Sequence, residues 1–374
     1  MDGWRARARP RLAARMAPCG AWIDCDPGHD DAFAVLALAR GAPDAVTLRG
    51  VSSVGGNQAT RKTTENARRV LAWIRAGREV TLARGAERPL TRRAVACAEI
   101  HGESGLDGSD GTAALPEADA RTTRERWSEK PGAVAMYEDF EAFRADGGND
   151  GSEYFVVATG PLTNVALMIS LYRARLFRLD ERLRPVIFLM GGAIGEGNTG
   201  ARAEFNIQCD PEAAHIVFES GLEIRMVPLE VTHTALVTPE ILELLCRSAE
   251  NYDDAEQRAQ QIRTLLTFFA TTYRDVFGFE SPPLHDPCAA FAACLRARRT
   301  CGIDDASLGT FEDCFTWSHE RVDVECASPL TYGQTVVDRW RTSGRPKNVH
   351  IATKMDVEKF FKFLAAAIAR GASA

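Results

Sequence analysis

The sequence predicts an α/β fold, a single domain with a mostly parallel central sheet flanked by helices. Three observations support this prediction. Short apolar runs recur from Ala21 onward, each run ends at Gly, Pro, Asn or Asp, and helical patterns follow. Repetition of strand, polar turn and helix is typical of parallel sheets with helices on their faces. We therefore expect a Rossmann-like core.

Five of the apolar runs are predicted to be strands, and they cover residues 22–26, 46–54, 155–158, 186–190 and 224–228. Helical spacing follows three of them, over residues 31–40 and 63–76 and from Leu162 onward. No run approaches the roughly 18 residues of a membrane span, so we expect no membrane segment.

Two segments interrupt this order. Residues 111–150 are polar with one helical block near 133–144, and residues 301–345 are predicted to be insertions or edge strands rather than a new domain. The composition is that of a globular protein, with 45% apolar and 26% charged residues. We therefore expect one domain over residues 19–374, with insertions near these two segments.

The charge is unevenly distributed along the chain. Residues 1–18 carry five arginines against one aspartate, a charge of +4, so the remaining chain carries −10 (−6 minus +4). The acidic balance argues against a nucleic-acid partner, because a phosphate backbone requires clustered cations. The arginine-rich segment partly fits a mitochondrial presequence, but a disordered tail or a translation start at Met16 explains it as well. We expect a basic tail over residues 1–18 and a cytoplasmic protein, with mitochondrial import as the alternative.

The ten cysteines form no C-x-x-C pair, which favours reduced thiols in an intracellular protein. Four of them fall between Cys294 and Cys326, so a local disulfide or metal clip is the alternative there.

Unusual polar residues follow the predicted strands at the points where the strands end. In open α/β sheets, ligands bind outside the carboxyl ends of the strands, where the loops converge. The residues in question are Asp24, Asp26, Asp30 and Asp31 after the first strand, Asn57 after the second, Thr159 after the third, and Asn198, Glu204 and Asn206 after the fourth. Separate segments therefore point to one site.

The first of these clusters, DCDPGHDD, predicts a metal site. Helix capping needs one carboxylate, whereas this segment places four within eight residues, where they would repel one another unless a cation holds them. Hard oxygen ligands suit Ca²⁺ or Mg²⁺. A second segment, SPPLHDP, places His285 beside the carboxylate of Asp286, and we expect this pair to be functional.

An aspartyl phosphatase of the haloacid-dehalogenase type would also place two aspartates after its first strand. The residues that follow Asp26 here are Pro-Gly-His-Asp-Asp, which do not fit that chemistry.

Taken together, the motifs resemble those of the nucleoside hydrolases, also called nucleoside N-ribohydrolases. The order and approximate spacing agree with that family from Ile23 to Ala290. The motifs are DCDPGHDDAFAVL, VGGNQ, IHGESGLDG, ATGPLTNVAL, MGGAIGEGN, AEFNIQCDPEAA and PLHDPCAA. The segments WIDCDPGHDDA and FFATTYRDVFGFESPPLHDP are most similar to the branch that prefers uridine, or inosine and uridine.

The resemblance implies a calcium-dependent enzyme that hydrolyses the N-glycosidic bond of ribonucleosides, with uridine and inosine favoured, for nucleoside salvage or catabolism. It also implies a homodimer or homotetramer. The alternative is a catalytically silent protein that binds a nucleoside or ribose together with calcium.

The resemblance also implies roles for individual residues. Asp26 matches the general base and a metal ligand, and His285 matches the proton donor to the leaving base, with an imidazole that titrates near neutral pH. The other implied calcium ligands are Asp31, Asp286 and the carbonyl of Thr159. The implied substrate-binding residues are Asp30, Asn57, Asn198, Glu204 and Asn206 at the ribose and His101 and Tyr273 at the base. Asp24 matches an aspartate that supports the site from beneath.

Overall fold

The structure is a computed structural model, and it describes residues 16–76, 79–108, 111–118, 126–147, 151–268 and 270–373. Most of the predicted basic tail, residues 1–15, lies outside them. The strands are β1 (Cys19–Cys25), β2 (Val46–Ser53), β3 (Thr81–Arg84), β4 (Arg126–Ser128), β5 (Tyr154–Ala158), β6 (Val186–Met190), β7 (Ile224–Val227), β8 (Phe315–Glu320), β9 (Val322–Val324), β10 (Thr335–Val337) and β11 (Val349–Met355).

The helices of the described residues are α1 (Asp31–Arg40), α2 (Thr60–Trp73), α3 (Ala98–His101), α4 (Gly132–Ala145), α5 (Thr163–Leu176), α6 (Phe205–Cys209), α7 (Pro211–Phe218), α8 (Leu229–Thr232), α9 (Pro239–Arg247), α10 (Ala255–Thr267), α11 (Ala270–Phe277), α12 (Asp286–Thr300), α13 (Phe311–Cys314) and α14 (Val357–Ala369). Two short 3-10 segments cover Glu181–Leu183 and Arg370–Ser373. None of the described helices is both long enough and apolar enough to cross a membrane.

Nine strands form one sheet in the order β4-β3-β2-β1-β5-β6-β7-β11-β8. Neighbouring strands are parallel except β11 and β8, which are antiparallel at one edge. β9 and β10 form a separate antiparallel pair. The predicted α/β fold with a mostly parallel sheet is confirmed, and all five predicted strands lie in this sheet. The central strands β5 and β6 are buried along their whole length, which explains why they appear in the sequence as continuous apolar runs.

The sheet is covered by apolar helices on both faces. Side chains alternate along each strand, so in β1 Ala21 and Ile23 pack with α1 and α12 on one face. Trp22 packs with α4 and α5 on the other face, and its indole N–H donates to Ser52 Oγ at 2.9 Å. Packing against these two apolar layers holds the ends of the strands in place.

The direction in which successive strands are added reverses at β1. From β1 the chain builds outward through β2 and β3, and it then returns to place β5 on the opposite side of β1. Such a reversal leaves a crevice at the carboxyl ends of the two central strands. Asp24 lies level with Ser52 and Ala158 at that end of the sheet, so the aspartate-rich segment leaves β1 directly at the crevice.

All ten cysteines lie in the described part of the chain and are free thiols. The local disulfide considered for the late cysteines is therefore not formed. Instead, these thiols contact backbone carbonyl oxygens, as when Cys294 donates to Ala37 and Cys314 donates to Leu308.

Candidate functional site

Three buried carboxylates, those of Asp30, Asp31 and Asp286, lie within 4.8 Å of one another. Asp30 and Asp31 begin α1, and Asp286 is the first residue of α12. The two helices thus start at the same place, where the positive ends of both helix dipoles favour negative charge. The packing of α1 against α12 brings together aspartates that are 256 residues apart in sequence.

Burial, and in part neighbouring charge, disfavours the ionised forms of the carboxylates in this triad. Burial raises the pKa of Asp286 well above its ordinary value, and the charges of Asp30 and Asp31 raise it further. Burial and the charge of Asp30 raise the pKa of Asp31 to about 7. A cation would remove this repulsion, and oxygen donors are the ligands that hard divalent cations prefer. The acidic triad can therefore hold a metal ion.

Asp26 lies next to the triad with one of its oxygens unused. Its Oδ2 accepts from the Asn57 backbone N–H at 2.7 Å, while its Oδ1 is buried and has no hydrogen-bond partner among the described residues. Burial and the charge of Asp31 raise the pKa of this carboxyl group well above its usual range. An unpaired buried oxygen is costly, so it marks a place where an ion or a water binds.

Two glycines make room for the Asp26 carboxylate. A Cβ at Gly56 would lie 2.1 Å from Asp26 Oδ2, and a Cβ at Gly160 would lie 2.7 Å from Asp26 Oδ1. The motifs VGGNQ and ATGPL therefore need glycine at these positions because the carboxylate passes directly against the backbone.

Thr159 and Asn57 connect Asp31 to the loops after β5 and β2. The Thr159 hydroxyl donates to Asp31 Oδ1 at 2.8 Å, and the side-chain amide of Asn57 lies 3.4 Å from Asp31 Oδ2. The Thr159 carbonyl oxygen, predicted to be a metal ligand, accepts from the Asn206 side chain at 2.8 Å. A carbonyl oxygen has two lone pairs, so this hydrogen bond leaves one of them for a further ligand.

Two of the predicted ribose-binding residues after β6, Glu204 and Asn198, also stabilise the backbone of their own loop by accepting hydrogen bonds from it. Glu204 is the N-cap of α6 and accepts backbone N–H bonds from Asn206, Ile207 and Gly192 at 2.9–3.1 Å. Asn198 Oδ1 accepts from the Phe205 N–H at 2.9 Å. These side chains are thus fixed in place before any ligand binds.

Asp24 lies beneath the cluster and does not line the cavity. Its Oδ1 accepts from the Ser52 hydroxyl and from the Asn164 amide, and burial raises its pKa to about 7. These contacts tie the end of β1 to β2 and α5.

A cavity of about 420 Å³ lies beside the triad. All the predicted catalytic, substrate-binding and metal-binding residues except Asp26 and Asp31 line it, namely Asp30, Asn57, His101, Thr159, Asn198, Glu204, Asn206, Tyr273, His285 and Asp286. Sequence reasoning missed its apolar wall, to which Ile100, Val276 and Phe277 contribute. The only signal for these three was that they lie within the IHGESGLDG and FFATTYRDVFGFESPPLHDP segments, because an apolar side chain does not by itself indicate a binding role.

His285 is held at both ring nitrogens. Its Nδ1 lies 2.8 Å from Thr232 Oγ1, and its Nε2 lies 2.7 Å from the Tyr273 hydroxyl. Burial lowers the pKa of His285 to about 3. The expectation of an imidazole that titrates near neutral pH was therefore wrong, because a fully buried ring loses the hydration that stabilises its charged form. Thr232 was also missed, since it lies at the end of the short helix α8 and belongs to none of the motifs.

The fold and the site define an α/β enzyme with an acidic centre that can bind a metal at the carboxyl ends of its strands. The chain belongs to the family described as inosine-uridine preferring nucleoside hydrolase, whose model matches residues 21–362. It is a hydrolase of the N-glycosyl bond of ribonucleosides, and this membership decides against the phosphatase alternative.

Relatives and solved structures agree with that membership. The chain is 38% identical over 352 residues to a probable ribonucleoside hydrolase of Dictyostelium discoideum, covering 93% of each chain. It is 38% identical over 335 residues to a pyrimidine-specific ribonucleoside hydrolase of Shewanella baltica, covering 89% of this chain and 91% of that one. The structure of an inosine-guanosine nucleoside hydrolase matches with a TM-score of 0.74 at 26% identity, covering 93% of this chain and 98% of that one. A purine-preferring ribonucleoside hydrolase of Gardnerella vaginalis shares the fold, with a TM-score of 0.73 at 24% identity over 94% of this chain and 99% of that one.

Proposed function

We propose that the protein hydrolyses ribonucleosides to ribose and free base in a calcium-dependent reaction, with uridine and inosine as favoured substrates, in nucleoside salvage or catabolism. The observation that carries this proposal is the buried acidic cluster at the wall of a cavity of about 420 Å³. A cavity of that size accommodates a small ligand such as a nucleoside.

Asp26, Asp31, Asp286 and the Thr159 carbonyl would hold the calcium ion, and Asp30 is near enough to contribute an oxygen. Calcium accepts six to eight oxygen ligands and tolerates such a mixture of carboxylates and carbonyls. When bound, the ion would orient sugar hydroxyls and lower the pKa of a coordinated water.

The ribose would be bound by the polar residues at the strand ends, which are Asp30, Asn57, Asn198, Glu204 and Asn206. Cleavage of a glycosyl bond passes through a state in which the sugar ring carries positive charge. The carboxylates of Asp30 and Glu204 are fixed by backbone N–H groups, so they stabilise that charge without having to reorganise.

Asp26 would take the proton of the attacking water. Its Oδ2 is held by the Asn57 N–H, so Oδ1 is the oxygen available for the proton. His285 would protonate the leaving base or stabilise its anion, and because burial lowers the pKa of the ring, the hydrogen that it offers would be that of a neutral ring N–H. The Tyr273 hydroxyl lies 2.7 Å from His285 Nε2 and offers the route, while Thr232 orients the ring.

A reducing-sugar assay tests this function directly. With calcium added, uridine and inosine are expected to release ribose, and nitrophenyl phosphate is expected to release no phosphate. A panel that includes cytidine, adenosine and guanosine measures the base preference, which is supported by the motif resemblance and by the description of the matching family. Calcium and nucleoside binding without ribose release would instead establish the catalytically silent alternative.

We further propose a homodimer or homotetramer in the cytoplasm. The oligomer is supported by the resemblance, and the compartment by ten cysteines that are all free thiols. Light scattering of the purified protein and fractionation of cells test the two statements separately.

A further inference from the structure

The separate strand pair β9–β10 lies against the loop that carries predicted ribose-binding residues. This β6–α6 loop, residues 191–204, contains no helix or strand, and it includes Asn198 and Glu204 at the cavity wall. The strand pair belongs to residues 301–345, to which the mechanism above gives no role. Its contacts with the loop suggest one.

Two adjacent residues, Gln334 and Thr335, contact the two ends of the β6–α6 loop. Gln334 forms an antiparallel bridge with Ala203, directly before Glu204. The Thr335 hydroxyl accepts from the Ala193 N–H at 3.0 Å and donates to the Ala193 carbonyl oxygen at 2.5 Å. The start of β10 therefore holds both the end that leaves β6 and the end that enters α6.

The Thr335 side chain fits closely into this place. It is buried, and a Cβ at Gly192 would lie 3.1 Å from its Cγ2 and 3.0 Å from Met226 Sδ. Gly192 has a φ of +80°, a conformation that favours glycine. The threonine thus offers a hydroxyl to the backbone of Ala193 and a methyl group to the turn before it.

The end of the loop that leaves β6 is held at four successive N–H groups, those of residues 192–195. The first donates to Glu204 Oε2 at 3.0 Å and the second to Thr335, while the third and fourth donate to Glu230 Oε1 at 2.8 and 2.7 Å. Because the loop contains no regular hydrogen-bond ladder, these side chains determine its path.

The strand pair itself is anchored to the body of the protein. Val322 and Val324 of β9 belong to the apolar cluster that includes side chains of α7. The Cys326 carbonyl oxygen accepts from Arg92 at 2.6 Å, and Arg92 also pairs with Glu212 of α7 at 2.8 Å. Thr335 therefore projects from a fixed support.

We propose that Thr335 is a positioning residue for the ribose, an inference that rests on the proposed function and deepens it. Its hydroxyl fixes Ala193, and the preceding N–H fixes the Glu204 carboxylate, so a shift of this backbone moves a group that binds the sugar. A misplacement of about 1 Å can lower an enzymatic rate about 100-fold. Since every ribonucleoside has the same sugar, the effect of Thr335 does not depend on the base.

Two substitutions separate the contacts of Thr335. Thr335→Val keeps the shape and loses both hydrogen bonds, whereas Thr335→Ser keeps the hydroxyl and loses the methyl group. We expect kcat/KM to fall about tenfold in Thr335→Val, for uridine and inosine alike, and less than about threefold in Thr335→Ser. Equal losses in the two variants, or a loss confined to one base, would contradict the proposal.

The three deoxyuridines, each lacking the 2′-, 3′- or 5′-hydroxyl, show whether Thr335 acts through the sugar. The wild type is expected to prefer uridine to the analogue that lacks the hydroxyl bound by the loop. Thr335→Val should narrow that preference by about threefold or more, because a misplaced group gains less from that hydroxyl. Unchanged preferences against all three analogues would overturn the proposal.

Thr81→Val is the matched control for lost stability. Thr81 is a buried threonine at the amino end of β3, opposite the site, and its hydroxyl accepts from Arg126 at 2.6 Å. We expect this variant to melt at a lower temperature and to keep its kcat/KM and its sugar preference. A loss of activity as large as that of Thr335→Val would show that destabilisation alone explains both.

Hydrogen–deuterium exchange of the calcium-loaded protein tests the contact without any substrate. The amides of residues 192–195 are expected to exchange about tenfold faster in Thr335→Val than in the wild type, with β6 unchanged, and equal exchange would overturn the proposal. If Thr335→Val fails to fold, Thr335→Ala removes the same hydroxyl and takes its place in each comparison. A wild type that hydrolyses no nucleoside would refute the proposed function, whereas an active wild type with a fully active Thr335→Val would refute this inference alone.

Discussion

The backbone N–H of Asp286 lies 3.4 Å from Oδ2 of Asp30, which joins the first turns of α12 and α1 at a single point. Each helix contributes the positive end of its dipole, and the charges of Asp30 and Asp31 on α1 add to burial in raising the pKa of Asp286 on α12. Such a junction is stable as an ionised cluster only with a counter-charge, which a bound cation would supply.

Removal of the metal is expected to destabilise the folded protein as well as stop turnover. A ligand present at 100 times its Kd stabilises the native state by about 2.7 kcal/mol, so EGTA should lower the melting temperature by several degrees. Differential scanning calorimetry with and without calcium measures this shift.

The matched control is Asp31→Asn, which removes one carboxylate from the triad. We expect this variant to bind calcium more weakly and to respond less to EGTA than the wild type does. A melting curve that is indifferent to both chelator and calcium would refute the metal site.

Substitution Asp26→Asn should lower kcat by about 10³-fold, because a general base contributes 10²–10⁴ to the rate. The amide is isosteric and can still accept from the Asn57 N–H, so the fold should be retained. Steady-state kinetics and circular dichroism measure the two effects.

Asp24→Asn serves as the comparison, since Asp24 supports the same loop from beneath and does not line the cavity. Its kcat should remain well above that of Asp26→Asn. Near-normal kcat in Asp26→Asn would rule out Asp26 as the base.

His285→Ala and Tyr273→Phe are expected to slow inosine hydrolysis by about 10²-fold and to have little effect on a nitrophenyl riboside, whose leaving group needs no proton. Thr232→Val removes the contact to His285 Nδ1 and should cause a smaller loss in the same direction. Parallel kinetics on the two substrates check this. If both substrates slow equally, His285 only positions the nucleoside.

Acid should destabilise the protein in part through His350. This ring stacks on His319 with centroids 4.2 Å apart, and burial, followed by the charge of Arg225, lowers its pKa to about 4. Between pH 6.5 and 4 the unfolded chain binds a proton at His350 that the folded chain does not bind. The contribution of His350 to the free energy of unfolding is therefore fully present above pH 6.5, and it is lost as the pH falls toward 4.

His350→Gln is expected to flatten the dependence of the unfolding free energy on pH in this window, as measured by urea unfolding at pH 7 and pH 5. The free energy of unfolding of His350→Gln at pH 7, compared with that of the wild type, shows how much stability the substitution removes through lost packing. An unchanged slope would show that His350 does not contribute to acid sensitivity.

Local patterns in the sequence determined much of the fold. The strands at the centre of the sheet are buried on both faces, so their apolar runs are unmistakable, and β6 has the predicted bounds. The short strands β3 and β4 were not predicted, because short or partly exposed strands carry a mixed pattern. The antiparallel edge strand β8 lies in residues 301–345, where insertions or edge strands were predicted without bounds.

The sequence by itself also indicated the polar residues at the strand ends of the candidate site, because parallel strands must place their carboxyl ends, and the loops that follow, on one side of the sheet. Only the tertiary structure decided which of them touch. The pairing of Asp30 with Asp286, of His285 with Thr232, and of His29 with His101 and Asp107 joins segments far apart in the chain. Tertiary structure also decided that burial lowers the pKa of His285, because the free energy of a buried charge depends on all the groups that replace its water.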